Sequence, residues 1–185
     1  EGNIEDPSIY LEAFEVLKQR GRIRAYGIST DSLEVLKRFN VNSTCSVVQC
    51  NYSLLNRSPE ADILPYCQKN GIAVMVRGPL ARGLLSGNYS ADTVFTDSVR
   101  AQWHKDEKSQ TSYERKIAQV EKLKQMAEPG QEMVTTALRY VISNPVVSTA
   151  IPGAKSPAQA ATNAQAGSAT LSAAEIDRLV AIIDG

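Results

Sequence analysis

The chain has 185 residues, 43% of them hydrophobic, with 20 Lys+Arg balancing 20 Asp+Glu and a single His. This is globular composition over about one domain's length; zero net charge argues against a nucleic-acid face, and no apolar run approaches the roughly 18 residues of a membrane span. The same length falls short of a complete (β/α)8 barrel, which takes about 250 residues and rarely fewer than roughly 200.

In chain order, Asp6-Pro7 marks a first helix, a cap residue followed by proline at the opening position. Tyr10, Ala13, Phe14 and Leu17 fall on one helical face, and Gly21 closes the helix. Ile23 to Ile28 reads as a short strand, and Asp31-Ser32-Leu33-Glu34 has the spacing of a capping box opening a second helix. Val47-Val48-Gln49-Cys50 is strand-like, and Ser58-Pro59 opens a helix running to Asn70-Gly71. Ile72 to Val76 is the continuous apolar run expected of a strand covered on both faces. The spacing of these strands suits parallel pairing through helical crossovers.

Residues 84–108 break the period and predict a long polar loop holding Trp103, His104 and the Lys105-Asp106-Glu107-Lys108 cluster, with His104 solvated. A helix with Tyr113, Ile117, Val120 and Leu123 on one stripe follows, ending before Pro129-Gly130. The next carries Met133, Val134, Ala137, Leu138, Val141 and Ile142 on one face and stops at Asn144-Pro145. Val146 to Ile151 is the fourth strand, and Ser156 to Gln159 and Ser172 to Glu175 are capping boxes of two terminal helices. The reading is a single α/β domain over 1–185. Its three cysteines, Cys45, Cys50 and Cys67, are odd in number and lack C-x-x-C spacing, which predicts free, half-buried thiols in a reducing cytoplasm and no structural metal.

Active sites of βα arrays lie at the C-terminal ends of the strands, so the residues following each strand are the ones to weigh. They are rich in hydrogen-bonding groups and poor in acids, bases and nucleophiles, which describes a binding surface. Pro152-Gly153-Ala154-Lys155-Ser156 leads into a helix N-terminus, where free N–H groups attract an anion and Lys155 adds a point charge suited to phosphate. A capping box alone also explains Ser156 and Gln159.

These residues resemble a family. Gly21-Arg22-Ile23-Arg24-Ala25-Tyr26-Gly27-Ile28-Ser29 is similar to the fifth strand of aldo-keto reductases. Val48 to Arg57 resembles their sixth strand, Gly78-Pro79-Leu80-Ala81-Arg82-Gly83-Leu84-Leu85-Ser86-Gly87 the seventh strand and cofactor loop, and Ala150 to Lys155 with Gln159 and Asn163 the eighth strand and phosphate helix. The resemblance implies a TIM-barrel fold represented by its C-terminal half, four βα units plus extra C-terminal helices. It implies that Ser29 and Gln49 hold the nicotinamide carboxamide, with Thr30 where Asn is usual. Arg77 stands where an aromatic ring commonly stacks under the nicotinamide, and its flat guanidinium can stack instead. Pro79, Leu80, Ala81 and Gly83 match the loop over the pyrophosphate, following Gly78. Asn88 stands where Lys is usual. Pro152, Gly153, Ala154, Lys155, Gln159 and Asn163 match the surroundings of the adenosine 2′-phosphate and adenine, which implies NADP.

The family's Tyr, Lys, Asp and His belong to the N-terminal strands, so no catalytic residue is expected in this chain. The resemblance thus implies the cofactor-binding part of an NADPH-dependent oxidoreductase reducing a small aldehyde or ketone. The alternatives are a non-catalytic dinucleotide-binding or regulatory half-barrel module, and a structural half-barrel whose sheet edges pair with a partner. Unprotected edges at the first and last strands predict a homodimer.

Overall fold

The computed structural model describes residues 4–126 and 132–185, whose contacts divide into two compact units. The first unit holds α1 (Ser8–Gln19), β1 (Gly27–Ser29), α2 (Leu33–Phe39), β2 (Val47–Asn51), α3 (Ile63–Asn70), β3 (Ala73–Arg77) and β4 (Val147–Ile151). The strands form one parallel sheet in the order β1-β2-β3-β4. The registers that matter for function pair Ser29 with Gln49, Gln49 with Met75, and Asn51 with Arg77.

Alternation along the central strands sets the core. Val48 and Cys50 in β2 and Val74 and Val76 in β3 are fully buried, together with Leu36 of α2 and Ile63, Leu64 and Cys67 of α3. Burying an aliphatic side chain of this size stabilises by about 1.5–3 kcal/mol. The other face carries Val47, Gln49, Asn51, Met75 and Arg77, all only partly covered, and Ala73 is exposed. β3 is therefore covered on one face among the described residues, where the apolar run predicted two.

Three local expectations shift. β1 begins at Gly27, not at residue 23; ahead of it the Tyr26 carbonyl accepts from the Ser46 N–H at 2.9 Å, and the Tyr26 ring stacks on Phe14, ring centroids 5.0 Å apart. Its hydroxyl donates to Glu15 Oε1 at 2.7 Å and lies 2.5 Å from Thr44 Oγ1. In α1 the buried residue is Leu11, and Ile9 and Tyr10 are 76% and 51% exposed, so Tyr10 is not on a covered face. Ser58–Ala61 forms a separate 3-10 turn, and α3 starts only after Asp62, whose Oδ1 accepts from the Ile63 N–H at 2.5 Å.

The second unit holds a 3-10 stretch at Ala81–Ser86, another at Ala101–His104, then α4 (Glu107–Met126), α5 (Met133–Ile142), α6 (Pro157–Gln165), a short 3-10 turn at Ala166–Ser168 and α7 (Ala173–Asp184). The predicted stripe of α4 is its buried face: Tyr113, Ile117, Val120 and Leu123. The expected stop at Pro129-Gly130 lies outside the described residues. Ser172 and Glu175 close the predicted capping box reciprocally, the Ser172 N–H donating to Glu175 Oε2 at 2.7 Å.

The 84–108 stretch is irregular but not a solvated polar loop, and α4 already begins at Glu107. Phe95 stands at the centre of an aromatic cluster with Tyr89, Trp103, His104 and Tyr113, each ring centroid within 5.0–5.8 Å of its own. His104 is packed against Phe95 and its Nε2 lies 3.1 Å from the Thr93 carbonyl, which corrects the expectation of a free loop histidine. The Arg100 guanidinium lies over the Phe95 and Tyr89 rings and is held by Asp97 at 2.7 Å.

Candidate functional site

The residues singled out by the sequence fall into two groups, one in each unit. In the first unit, parallel register sets Ser29, the last residue of β1, beside Gln49, the middle residue of β2. The Ser29 hydroxyl donates to Gln49 Oε1 at 3.4 Å, and Gln49 Nε2 points to the Met75 sulfur at 3.5 Å. A thioether is a weak acceptor, so the Gln49 amide retains donor capacity next to a hydroxyl that both donates and accepts. Thr30 is already engaged: its N–H donates to the Gln49 carbonyl at 3.0 Å and its Oγ1 accepts from the Ser32 N–H at 3.1 Å.

Asp31 is the residue that sequence reasoning misassigned. It does not cap α2; Ser32 does, accepting from the Val35 N–H at 3.4 Å. The Asp31 carboxylate instead accepts from the Asn51 backbone N–H at 2.7 Å through Oδ1 and pairs with Arg77 Nη2 through Oδ2. One side chain thereby ties together the ends of β1, β2 and β3. Arg77 is consequently a held cation, not a free plate.

In the second unit, Gly78 takes φ +63, and Ala81, Arg82 and Gly83 follow with φ +49, +57 and +95. Consecutive left-handed residues that include two non-glycines are uncommon and make a sharp, preformed loop. The Ala81 N–H donates to the Gly78 carbonyl at 2.8 Å, and that of Gly83 to Leu80 at 2.9 Å; Pro79 is buried. Burial, then the neighbouring Arg115 and Arg82, hold the Lys116 ammonium below the ordinary lysine range.

At the start of α6 the predicted residues hold one another. The Lys155 N–H donates to Gln159 Oε1 at 2.6 Å, the Gln159 N–H to Ser156 Oγ at 3.2 Å, and Asn163 Nδ2 to the Gly153 carbonyl at 3.2 Å. Gln159 therefore reaches the Lys155 N–H and not the cap residue's own, a variant of the expected capping box. Pro152 is half-buried, Ala154 and Lys155 are exposed, and a Cβ on Gly153 would meet no atom within 4 Å. Each group by itself has a chemistry of its own: a paired hydroxyl and amide suit a carboxamide, and an open glycine and a lysine at a helix N-terminus suit a phosphate.

Tyr52 and Tyr113 are engaged as donors. Tyr52 is buried and donates to Glu60 Oε1 at 2.6 Å, and Tyr113 donates to the Ser90 carbonyl at 2.6 Å. Burial pushes the Tyr26 and Tyr113 phenols above their usual range. Among the described residues no group of three or more His, Cys, Asp or Glu is placed to hold a metal.

Residues 6–184 match the family model described as aldo/keto reductase family. An uncharacterized oxidoreductase of Bacillus subtilis is 32% identical over 169 residues, covering 91% of this chain and 52% of that protein. The NADH-specific methylglyoxal reductase of Escherichia coli K12 is 37% identical over 78 residues, 42% of this chain and 24% of its own length. Among solved structures, a glycerol dehydrogenase from Gluconobacter oxydans superposes with a TM-score of 0.79 at 31% identity, over 92% of this chain and 52% of that one. The chain belongs to the aldo/keto reductase family of oxidoreductases, whose members commonly bind a nicotinamide cofactor and fold as TIM barrels. It spans about half the length of the curated relatives it matches.

Proposed function

We propose that this chain is the cofactor-holding, C-terminal half-barrel part of an NADPH-dependent reductase of small aldehydes or ketones. The observation that carries the reading is the Ser29–Gln49 pair in parallel register, with a Gln49 amide nitrogen that faces the Met75 sulfur, a weak acceptor. In this reading Ser29 and Gln49 hold the carboxamide, with Thr30 and Arg77 beside them. Gly78, Pro79, Leu80, Ala81 and Gly83 follow the pyrophosphate, while Gly153, Lys155, Gln159 and Asn163 face the adenosine phosphate. When bound, the nicotinamide supplies a hydride to a carbonyl carbon, and the chain's own contribution is to bind and orient. Lys155 at the α6 N-terminus favours the additional 2′-phosphate of NADPH. Because one relative is named for NADH specificity, the choice between the two cofactors is the measurement that separates these possibilities.

The engaged tyrosines favour a second reading, a dinucleotide-binding module without turnover of its own. In either reading free buried thiols suit a reducing, cytoplasmic setting, and two copies pair through the edges of β1 and β4. Fluorescence titration of the full chain with NADPH and NADH tests both: saturable binding that Ser29→Ala weakens supports a cofactor site, and no binding of either dinucleotide removes it.

A further inference from the structure

We propose that Asp31 is a specificity-determining residue: by neutralising Arg77 it lets the site hold the oxidised and the reduced nicotinamide with comparable affinity. The inference rests on the reading that Ser29 and Gln49 hold the carboxamide. Asp31 follows β1, the strand that carries Ser29, and Arg77 ends β3, the neighbour of the strand that carries Gln49, standing in register with Asn51, two residues beyond Gln49. Both side chains of the pair are open to solvent, 49% and 40% exposed, so their charges reach a ligand seated on that surface.

Among the described residues the carboxylate has two hydrogen-bonded partners. Ser32 caps α2, and both Asp31 oxygens are spent on strand ends, one on the Asn51 N–H and one on Arg77. The chemistry of the ligand gives the pair its consequence. The oxidised nicotinamide ring is a cation and the reduced ring is neutral. A lone guanidinium repels the first and stacks on the second, whereas a lone carboxylate attracts the first. Paired, the two charges cancel at the ring. A site that must receive one form and release the other gains from being nearly indifferent to the charge that separates them.

The test is the ratio of dissociation constants, NADP+ over NADPH, for the full chain at low ionic strength by isothermal titration. Asp31→Asn keeps an oxygen for the Asn51 N–H and is expected to raise the ratio about tenfold, the scale of one unscreened charge at a half-exposed site. Arg77→Gln is expected to lower it, and the double variant to return it to within about twofold of the unmodified chain. The mirrored signs and their cancellation separate charge from mere loss of shape, and Arg77→Gln decides alone should Asp31→Asn unfold. Single variants that move the ratio in the same direction, or leave it unchanged while both dinucleotides still bind in a Ser29-dependent way, overturn the role of Asp31. Absence of any dinucleotide binding by the folded, unmodified chain overturns the underlying site, and this inference with it.

Discussion

The Cα of Gly27 approaches the carbonyl oxygen of Val47 so closely that a Cβ there would sit 1.7 Å from it. Those two residues are register partners, so the first rung joining β1 to β2 exists only with glycine at its start. Gly27→Ala is expected to destabilise the first unit by about 3 kcal/mol or more, since backbone and not a flexible side chain must move. Gly153→Ala, facing open space, is expected to stay within about 0.5 kcal/mol. Urea unfolding followed by circular dichroism compares the two, and similar midpoints would contradict the close approach.

Lys155→Glu is expected to weaken NADPH at least tenfold while changing NADH by less than about threefold, because only the former carries the 2′-phosphate. The N–H of residue 155 still reaches Gln159, so the helix start persists. Equal losses for both cofactors in a fluorescence titration would assign the effect to folding, not to phosphate recognition.

The chain on its own is expected to show no measurable aldehyde reduction. A positioned general acid contributes about 10²–10⁴ in rate, and the phenols of Tyr52 and Tyr113 are committed as donors to Glu60 and to the Ser90 carbonyl. Steady NADPH oxidation with a simple aldehyde, lost in Tyr52→Phe, would show that Tyr52 is the acid after all.

Burial pushes the Cys50 thiol up to about 11 and the Cys67 thiol up to about 12, with Cys45 raised as well. Their folded values exceed the unfolded one, so the folded chain holds more protons at high pH and its stability falls as pH rises above about 9. Below that the contribution is fully present and flat. Denaturant midpoints from pH 7 to 10.5 are expected to bend downward near 9, and a thiol reagent at pH 8 is expected to label the chain only once it unfolds. Rapid labelling of the native chain would place a thiolate at the surface.

Both sheet edges are unpaired among the described residues: β1 bonds only to β2 and β4 only to β3. With Ile151 of β4 exposed and Ile9, Tyr10, Val16 and Leu17 of α1 likewise, the purified chain is expected to self-associate at micromolar concentration, most simply as a dimer. Light scattering reading a single species of 20.1 kDa would refute this.

What the sequence made legible was local. The α4 stripe and the Ser172–Glu175 box follow from spacing within one helix, and both stand as read. The covered face of α1 was misread because periodicity names an apolar side without saying what lies against it; Phe14 finds Tyr26, while Tyr10 is left half open. Asp31 was misread for a related reason. Its spacing to Glu34 suggests a cap, but its true partner Arg77 is 46 positions away, and only the register of three strands brings them together. In the cluster around Phe95, helical spacing places Tyr113, but Tyr89, Phe95, Trp103 and His104 share no period, and Phe95, Trp103 and His104 fall in a stretch that reads as polar loop. Among the candidate residues, Ser29 lies beside Gln49 through strand register, and Lys155 and Asn163 lie at the start of α6 and within it, bonded to Gln159 and to Gly153.

The cluster around Phe95 also gives the protein an optical asymmetry. Trp103 is the only tryptophan, stacked on Tyr113 with ring centroids 5.3 Å apart, and it belongs wholly to the second unit. Tryptophan emission therefore reports the surroundings of Trp103 within that unit, and the parallel sheet has no tryptophan of its own to report on it.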